Sequence, residues 1–455
     1  MTDVFTSATT EKVTPIRLVR SEDLDRWQTA LEPRSAAWAR SRGFQGKAGQ
    51  WIWLPDEAGS PSQVVAGWDG KDNLETLGGL ALSLPEGVYR MDDPATPLQL
   101  LGWALGAYQF GRYKATTREP ARLLVESPAL AASLASFESA ITLVRDLINT
   151  PAADMLPSHL AAEAAQLAEV YGADCTITVG DELLDRNLCA IHAVGRAAAD
   201  EPRLIDIRWG DPQHPQIVLI GKGVCFDSGG LDIKPASNMR TMKKDMGGAA
   251  QVLGLAQLIM AQSLPIQLRV LIPAVENAIA GNAYRPGDVL PTYKGITVEI
   301  DNTDAEGRVV LCDALALAVE EKPALIIDYA TLTGAARSAV GAEIAAMFSN
   351  DDSVAERIYR AGAQQDDPVW RMPLHQPYNY KLESKVADTV NSASVPFGGA
   401  ITAALFLQKF VDDTAWVHFD IMAFNIRARP GRPEGGEAMA IRAVFAYLQE
   451  TYGQG

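Results

Sequence analysis

Apolar positions fall into two rhythms along this chain. Short apolar runs suggest strands at 174–179, 190–194, 203–208, 216–221, 267–272, 296–300, 324–330 and 415–422. Between them, helical spacing appears near 247–262, 307–320, 352–363, 400–412 and 434–449. An amphipathic helix is predicted over 131–149, where Leu134, Phe137, Ala140, Ile141, Val144, Leu147 and Ile148 share a face. Asn149-Thr150-Pro151 stops it, and Ser158 is placed to cap a further helix over 159–171. Alternation of this kind predicts an α/β fold whose mostly parallel central sheet is flanked by helices. In such sheets ligands sit beyond the carboxyl ends of the strands.

Upstream the rhythm is weaker. Residues 97–114 read as a helix, with Leu100, Leu101, Ala104, Leu105 and Tyr108 on one face, and 120–125 as a short strand. Trp38, Trp51, Trp53 and Trp68 suggest a small aromatic core, and residues 1–20 a mobile tail or edge segment. The expected organisation is a smaller N-terminal α/β domain over 1–130 and a larger one over 131–455.

Composition narrows the class. The 455 residues are 47% hydrophobic and 21% charged, ordinary for a chain with a sizeable core. A net charge of −16 argues against nucleic acid as a general partner and against anionic membrane surfaces. No apolar run reaches the length of a membrane span, and residues 1–20 lack the apolar centre of a signal peptide. Cys175, Cys189, Cys225 and Cys312 form no CxxC pair and read as reduced packing residues of a cytoplasmic protein. The five histidines have no zinc-site spacing, so any metal must be held mainly by oxygen.

Two stretches carry the chemistry. In Asp301-Asn302-Thr303-Asp304-Ala305-Glu306-Gly307-Arg308, a strand pattern leads in and a helix pattern leads out. On extended backbone Asp304 and Glu306 would point the same way, and two converging carboxylates repel unless a cation lies between them. A helix cap with a surface ion pair fits the same residues. In the second stretch, the buried strand pattern 217–221 runs into Lys222-Gly223-Val224-Cys225-Phe226-Asp227-Ser228-Gly229-Gly230, then Lys234 and Asp245. It matches no phosphate-loop pattern, and two aspartates would repel a phosphate. Simple pairing of Lys222 and Lys234 with Asp227 and Asp245 also fits. Together the stretches offer Asp227, Asp245, Asp304 and Glu306, a donor set suited to two oxygen-ligated divalent ions. The residues alone reach a dinuclear hydrolase and leave peptide and phosphate ester both open.

At these residues the chain closely resembles the M17 leucyl aminopeptidase family. The resemblance rests on Asn302-Thr303-Asp304-Ala305-Glu306-Gly307-Arg308, with Gly221-Lys222-Gly223, Phe226-Asp227-Ser228-Gly229-Gly230, Ile233-Lys234-Pro235, Asp245-Met246-Gly247-Gly248-Ala249-Ala250 and Ala330-Thr331-Leu332-Thr333-Gly334-Ala335. It spans roughly 140–450 and is weak over the first 130 residues. It implies a catalytic domain that removes the N-terminal residue from peptides with a free N-terminus, using two Zn²⁺ or Mn²⁺ ions per subunit and a metal-bridging hydroxide. By the family's motif, one ion takes Asp227, Asp304 and Glu306, and the other Lys222, Asp227, Asp245 and Glu306. Lys234 would stabilise the oxyanion, and Arg308 would hold a bicarbonate as general base. The implied side-chain pocket is Met242, Thr331, Gly334, Met422 and Asn425, where Met422 would narrow it and Asn425 make it more polar than in leucine-preferring members. A homohexamer is implied as well. Some members of the family also bind DNA, and the acidic charge weighs against that role here.

Overall fold

The computed structural model describes residues 4–116 and 118–453. The chain divides into two compact units, 1–142 with 427–434, and 143–426 with 435–455.

The first unit holds six strands, Phe5–Thr6 (β1), Val13–Arg20 (β2), Trp51–Pro55 (β3), Pro61–Trp68 (β4), Val88–Met91 (β5) and Arg122–Leu124 (β6). Their order is β1-β6-β5-β2-β4-β3. The expected tail or edge segment over 1–20 is corrected in part: β1 lies at the sheet's edge, but β2 is an interior strand, parallel to β4 and β5. Its two buried residues, Ile16 and Val19, are three apart, so the period of two that marks a strand is hidden. The four tryptophans are not a core either. Trp38 is 42% exposed, and Trp51, Trp53 and Trp68 are half-buried. The indole N–H groups need acceptors, and Trp38 and Trp68 find theirs at the carbonyls of Trp53 (2.7 Å) and Lys71 (2.8 Å). The buried tryptophans among the described residues of this unit are Trp27, edge-on to Phe44, and Trp103. The helix expected over 97–114 ends at Gly106, where a side chain would collide with the Gly78 carbonyl.

The second unit is built from Asp174–Val179 (β7), Arg203–Trp209 (β8), Gln216–Gly221 (β9), Gly223–Asp227 (β10), Gln267–Asn277 (β11), Val289–Pro291 (β12), Thr297–Glu299 (β13), Leu325–Ala330 (β14), Ala345–Ser349 (β15), Val369–Arg371 (β16), Thr389–Val390 (β17) and Trp416–Asp420 (β18). The main sheet runs β16-β15-β18-β14-β9-β11-β8-β7, with β10 also paired to β11. Its centre, β18-β14-β9-β11, is parallel throughout. The antiparallel pairings lie outside it, between β11 and β8, β8 and β7, and β18 and β15. A small sheet, β12-β13-β17, stands apart. The central strands read as unbroken apolar runs because helices cover both faces. The Glu306–Val319 helix packs on Val218 and Ile220 of β9. The pleat sends Ile217 and Leu219 to the other face, and Gly247–Ala261 also packs against β9.

Three expectations in this unit change, each through a contact distant in sequence. Residues 190–194 are helical, within Cys189–Gly195. The Asp313 carboxylate accepts the N–H groups of Ala190 (2.8 Å) and Ile191 (3.2 Å) at that helix's start, and of Tyr293 (2.8 Å). A five-residue apolar run carries no sign of such a partner. The helix after Pro157 is not capped by Ser158, which bonds Asp200 instead; His159 Nδ1 accepts the Leu156 N–H at 3.1 Å. The last helix starts at Ile441, not 434, because Gly435–Gly436 pairs with Phe424–Asn425 and Asp367 gathers the N–H groups of Ala440, Arg442 and Ala443. All four cysteines are free.

Candidate active site

The central parallel strands deliver the candidate residues at their carboxyl ends. β9 ends at Gly221, immediately before Lys222; β10 ends at Asp227; β14 ends immediately before Thr331. Asp304 and Glu306 are not on extended backbone as expected. Residues Thr303–Ala305 form a single 3-10 turn, and Glu306 opens the following helix. The Asn302 side chain caps that turn by accepting the Asp304 N–H at 2.8 Å.

One atom from each of Asp227, Asp245 and Glu306 lies within 4.8 Å of the others, and all three residues are buried. Lys222 Nζ lies 2.6 Å from Asp245 and 2.8 Å from Glu306. Lys234 Nζ lies 2.7 Å from Asp227 and is also paired with Asp304. The lysine–aspartate pairing that the spacing left open is thus present within a converging carboxylate cluster.

The electrostatics follow from burial and crowding. Burial and the Asp227 charge push Glu306 up to about 8, despite Lys222. Asp304 rises to about 6 for the same two reasons. Burial also favours the neutral form of Asp245, but Lys222, Lys244 and the Thr331 hydroxyl outweigh it and hold the carboxyl at about 2. For Lys222 and Lys234 burial favours the neutral amine, yet the surrounding carboxylates raise both. Four carboxylates thus face two paired ammoniums, and Glu306 Oε2 is buried without a hydrogen-bond partner among the described residues. An unspent oxygen lone pair, excess negative charge and an all-oxygen donor set beside one amine fit divalent cations.

Lys222, Asp227, Lys234, Asp245, Asp304 and Glu306 share a cavity of about 390 Å³. Met242, Thr331, Gly334 and Met422 line it too. Arg308 and Asn425 are not in its wall. The Arg308 guanidinium is buried, donates to the Asn391 carbonyl at 2.9 Å, and leaves its Nε–H without a partner among the described residues. Burial lowers its pKa to about 10. Asn425 is buried and donates to Glu437 at 2.6 Å, and Glu437 in turn pairs with Arg145 at 3.2 Å.

Several residues that hold this geometry carry no local motif. Asn277 donates to Asp227 (2.8 Å) and to the Thr303 carbonyl (3.1 Å), tying the two charged stretches together. Asn391 accepts the Asp301 N–H at 2.8 Å and donates to the Asn302 carbonyl at 2.7 Å. Asp420 accepts the N–H of Leu332 (3.1 Å) and Thr333 (3.0 Å), fixing the loop after β14. His418-Phe419-Asp420 was the one available signal for this last residue.

Gly307 has a specific job. A Cβ there would lie 2.7 Å from Lys222 Cε and Nζ. In Gly307→Ala the end of the lysine must move, while the backbone need not. The expected result is a loss of turnover of roughly 100-fold with little change in melting temperature. Parallel activity and melting measurements check it; full activity would mean that the Lys222 amine has no fixed position to lose.

Residues 142–445 match the family model described as cytosol aminopeptidase family, catalytic domain. Residues 14–126 match that of the M17 aminopeptidase N-terminal domain. A probable cytosol aminopeptidase of Geotalea uraniireducens is 39% identical over 366 residues, 76% of this chain and 74% of that relative. The crystal structure of cytosol aminopeptidase from Coxiella burnetii superposes with a TM-score of 0.95 at 47% identity, covering 99% of this chain and 100% of that one. The bottromycin maturation enzyme BotP in complex with Mn has a TM-score of 0.87 at 32% identity, covering 97% and 100%.

Proposed function

Because the chain belongs to the M17 cytosol aminopeptidase family, and is a metal-dependent enzyme that hydrolyses peptides from the N-terminus, we propose that its centre is the cavity around Asp227, Asp245 and Glu306. The observation that carries the proposal is the convergence of these three buried carboxylates within 4.8 Å, beside two lysines. Asp227, Asp304 and Glu306 would hold one divalent ion, and Lys222, Asp227, Asp245 and Glu306 a second, to which Lys222 would have to offer its neutral amine. Zinc and manganese both suit the donors, and the manganese complex of BotP supports the latter. When bound, such ions supply Lewis acidity and an activated water at neutral pH.

The protein's own residues do the rest. Lys234 lies in the cavity with its side chain 11% exposed, placed to donate to the carbonyl oxygen as negative charge develops. Arg308 offers a planar fork whose buried Nε–H has no partner among the described residues, the chemistry that holds a small oxyanion such as bicarbonate as general base. Met242, Thr331, Gly334 and Met422 receive the N-terminal side chain. The chain acts in the cytoplasm as a homohexamer. Its relatives' name supports the first, and no helix among the described residues is long and apolar enough to cross a membrane.

The test is hydrolysis of aminoacyl-p-nitroanilides by metal-stripped protein with Mn²⁺, Zn²⁺ or Mg²⁺ added back. Metal-dependent release that stops when the substrate amine is acetylated is the expected result. Release from the acetylated substrates would contradict an exopeptidase site.

A further inference from the structure

Two cations in the cavity wall find no hydrogen-bond acceptor among the described residues: Lys244, whose one ion pair is a long one to Asp245, and Arg337. Lys244 is 1% exposed, and its ammonium makes no hydrogen bond among the described residues. The carboxylate oxygen recorded beside it, Asp245 Oδ1, is 3.7 Å away and already takes the Thr331 hydroxyl at 2.8 Å. The other oxygen of Asp245 faces Lys222 at 2.6 Å. Arg337, on the Gly334–Val340 helix, lines the same cavity and has no side-chain hydrogen bond or ion pair among the described residues. Its Nη2 would be 3.7 Å from a Cβ at Gly334. The two cations repel each other, which a shared anion would relieve. Met242, Met422 and Leu332 line the same cavity and contribute no charge to it.

A buried ammonium that makes no hydrogen bond costs free energy that an incoming anion recovers. The natural anion here is one carried by the substrate. Resting on the reading of this cavity as the peptide site, we propose that Lys244 and Arg337 bind a substrate carboxylate, so that the enzyme favours peptides with a carboxylate near the scissile bond. That group is either the side chain of an N-terminal glutamate or aspartate, or the C-terminus of a dipeptide. An ammonium and a planar guanidinium together can satisfy both oxygens of one carboxylate.

The experiment compares kcat/KM for Glu-p-nitroanilide, Leu-p-nitroanilide, Leu-Gly and Leu-glycinamide in the manganese-loaded wild type, Lys244→Met and Arg337→Gln. One charge-assisted hydrogen bond lost corresponds to roughly 10- to 100-fold in the affected ratio, carried mainly by KM. A fall in the Glu:Leu nitroanilide ratio assigns the pair to an acidic N-terminal side chain. A fall in the Leu-Gly:Leu-glycinamide ratio assigns it to a C-terminal carboxylate. If neither ratio moves in folded Arg337→Gln, the proposal is overturned; that position is only half-buried, so it carries the test even if Lys244→Met fails to fold. Arg337→Glu adds a reversal, with Arg-p-nitroanilide gaining on Glu-p-nitroanilide. Wild type that cleaves none of the four would instead defeat the peptide-site reading itself, and this proposal with it.

Discussion

Glu306→Gln is expected to lower kcat/KM by roughly a thousandfold and to abolish tight binding of divalent ions. The carboxylate belongs to the cluster, with one oxygen 2.8 Å from Lys222 and the other without a hydrogen-bond partner among the described residues. Glutamine keeps the shape but replaces one anionic oxygen with an N–H₂ group that repels cations. Removing one partner from a buried charge cluster costs about 3–5 kcal/mol, or two to four powers of ten in an equilibrium constant. The metal-free protein is expected to melt close to wild type. There the substitution forfeits one Lys222 contact, but it also relieves repulsion from Asp227 and Asp245, which together with burial already pushes the carboxyl up. Equilibrium dialysis for bound metal, turnover and thermal melting separate these effects. Retained metal and turnover would remove Glu306 from the centre; lost metal with a large drop in melting temperature would make it a structural residue first.

The contrast between what could and could not be read from the chain has a physical cause. The central strands are covered on both faces, so 216–221 and 325–330 are unbroken apolar runs and stand out in sequence. Lys222 and Asp227 follow the first of them within a few positions because a strand's carboxyl end is where a parallel sheet meets its ligand. Local order and local chemistry coincide there, and both are legible. Asn277, Asn391 and Asp420 act on backbone far from them in sequence. Asn391, for example, bonds Asp301 across 90 positions. An asparagine or aspartate at a strand end looks the same whether it faces water or fixes a loop. The helix at 189–195 was misread for the same reason, since the carboxylate at its start belongs to Asp313. Lys244 and Arg337 are not legible in the sequence, because a cation gives no hint there that the fold will leave it without a hydrogen-bond acceptor.

Lys234→Ala is expected to lower kcat by roughly 100- to 1,000-fold while leaving metal content intact, the reverse of the pattern for Glu306. A donor aimed at developing oxyanion charge is worth about that much when removed. Lys234 has a second possible reason to be where it is, because its ammonium pairs with Asp227 and Asp304. If that pairing were its whole purpose, the alanine variant would leave two carboxylates repelling each other, and the fold would lose stability. The carboxylates would then attract divalent ions more strongly, and activity at saturating metal would survive. If instead the ammonium serves the reaction, no excess of metal restores turnover, because added ions do not replace a hydrogen-bond donor aimed at the carbonyl oxygen. KM should change little, since the interaction gains its strength only as charge develops. Lys234→Arg keeps the charge and moves its position, so partial recovery above alanine is expected. A metal titration of turnover in the alanine variant decides between the two roles: recovery to wild-type rates assigns Lys234 to the carboxylates, and a flat residual rate assigns it to the oxyanion.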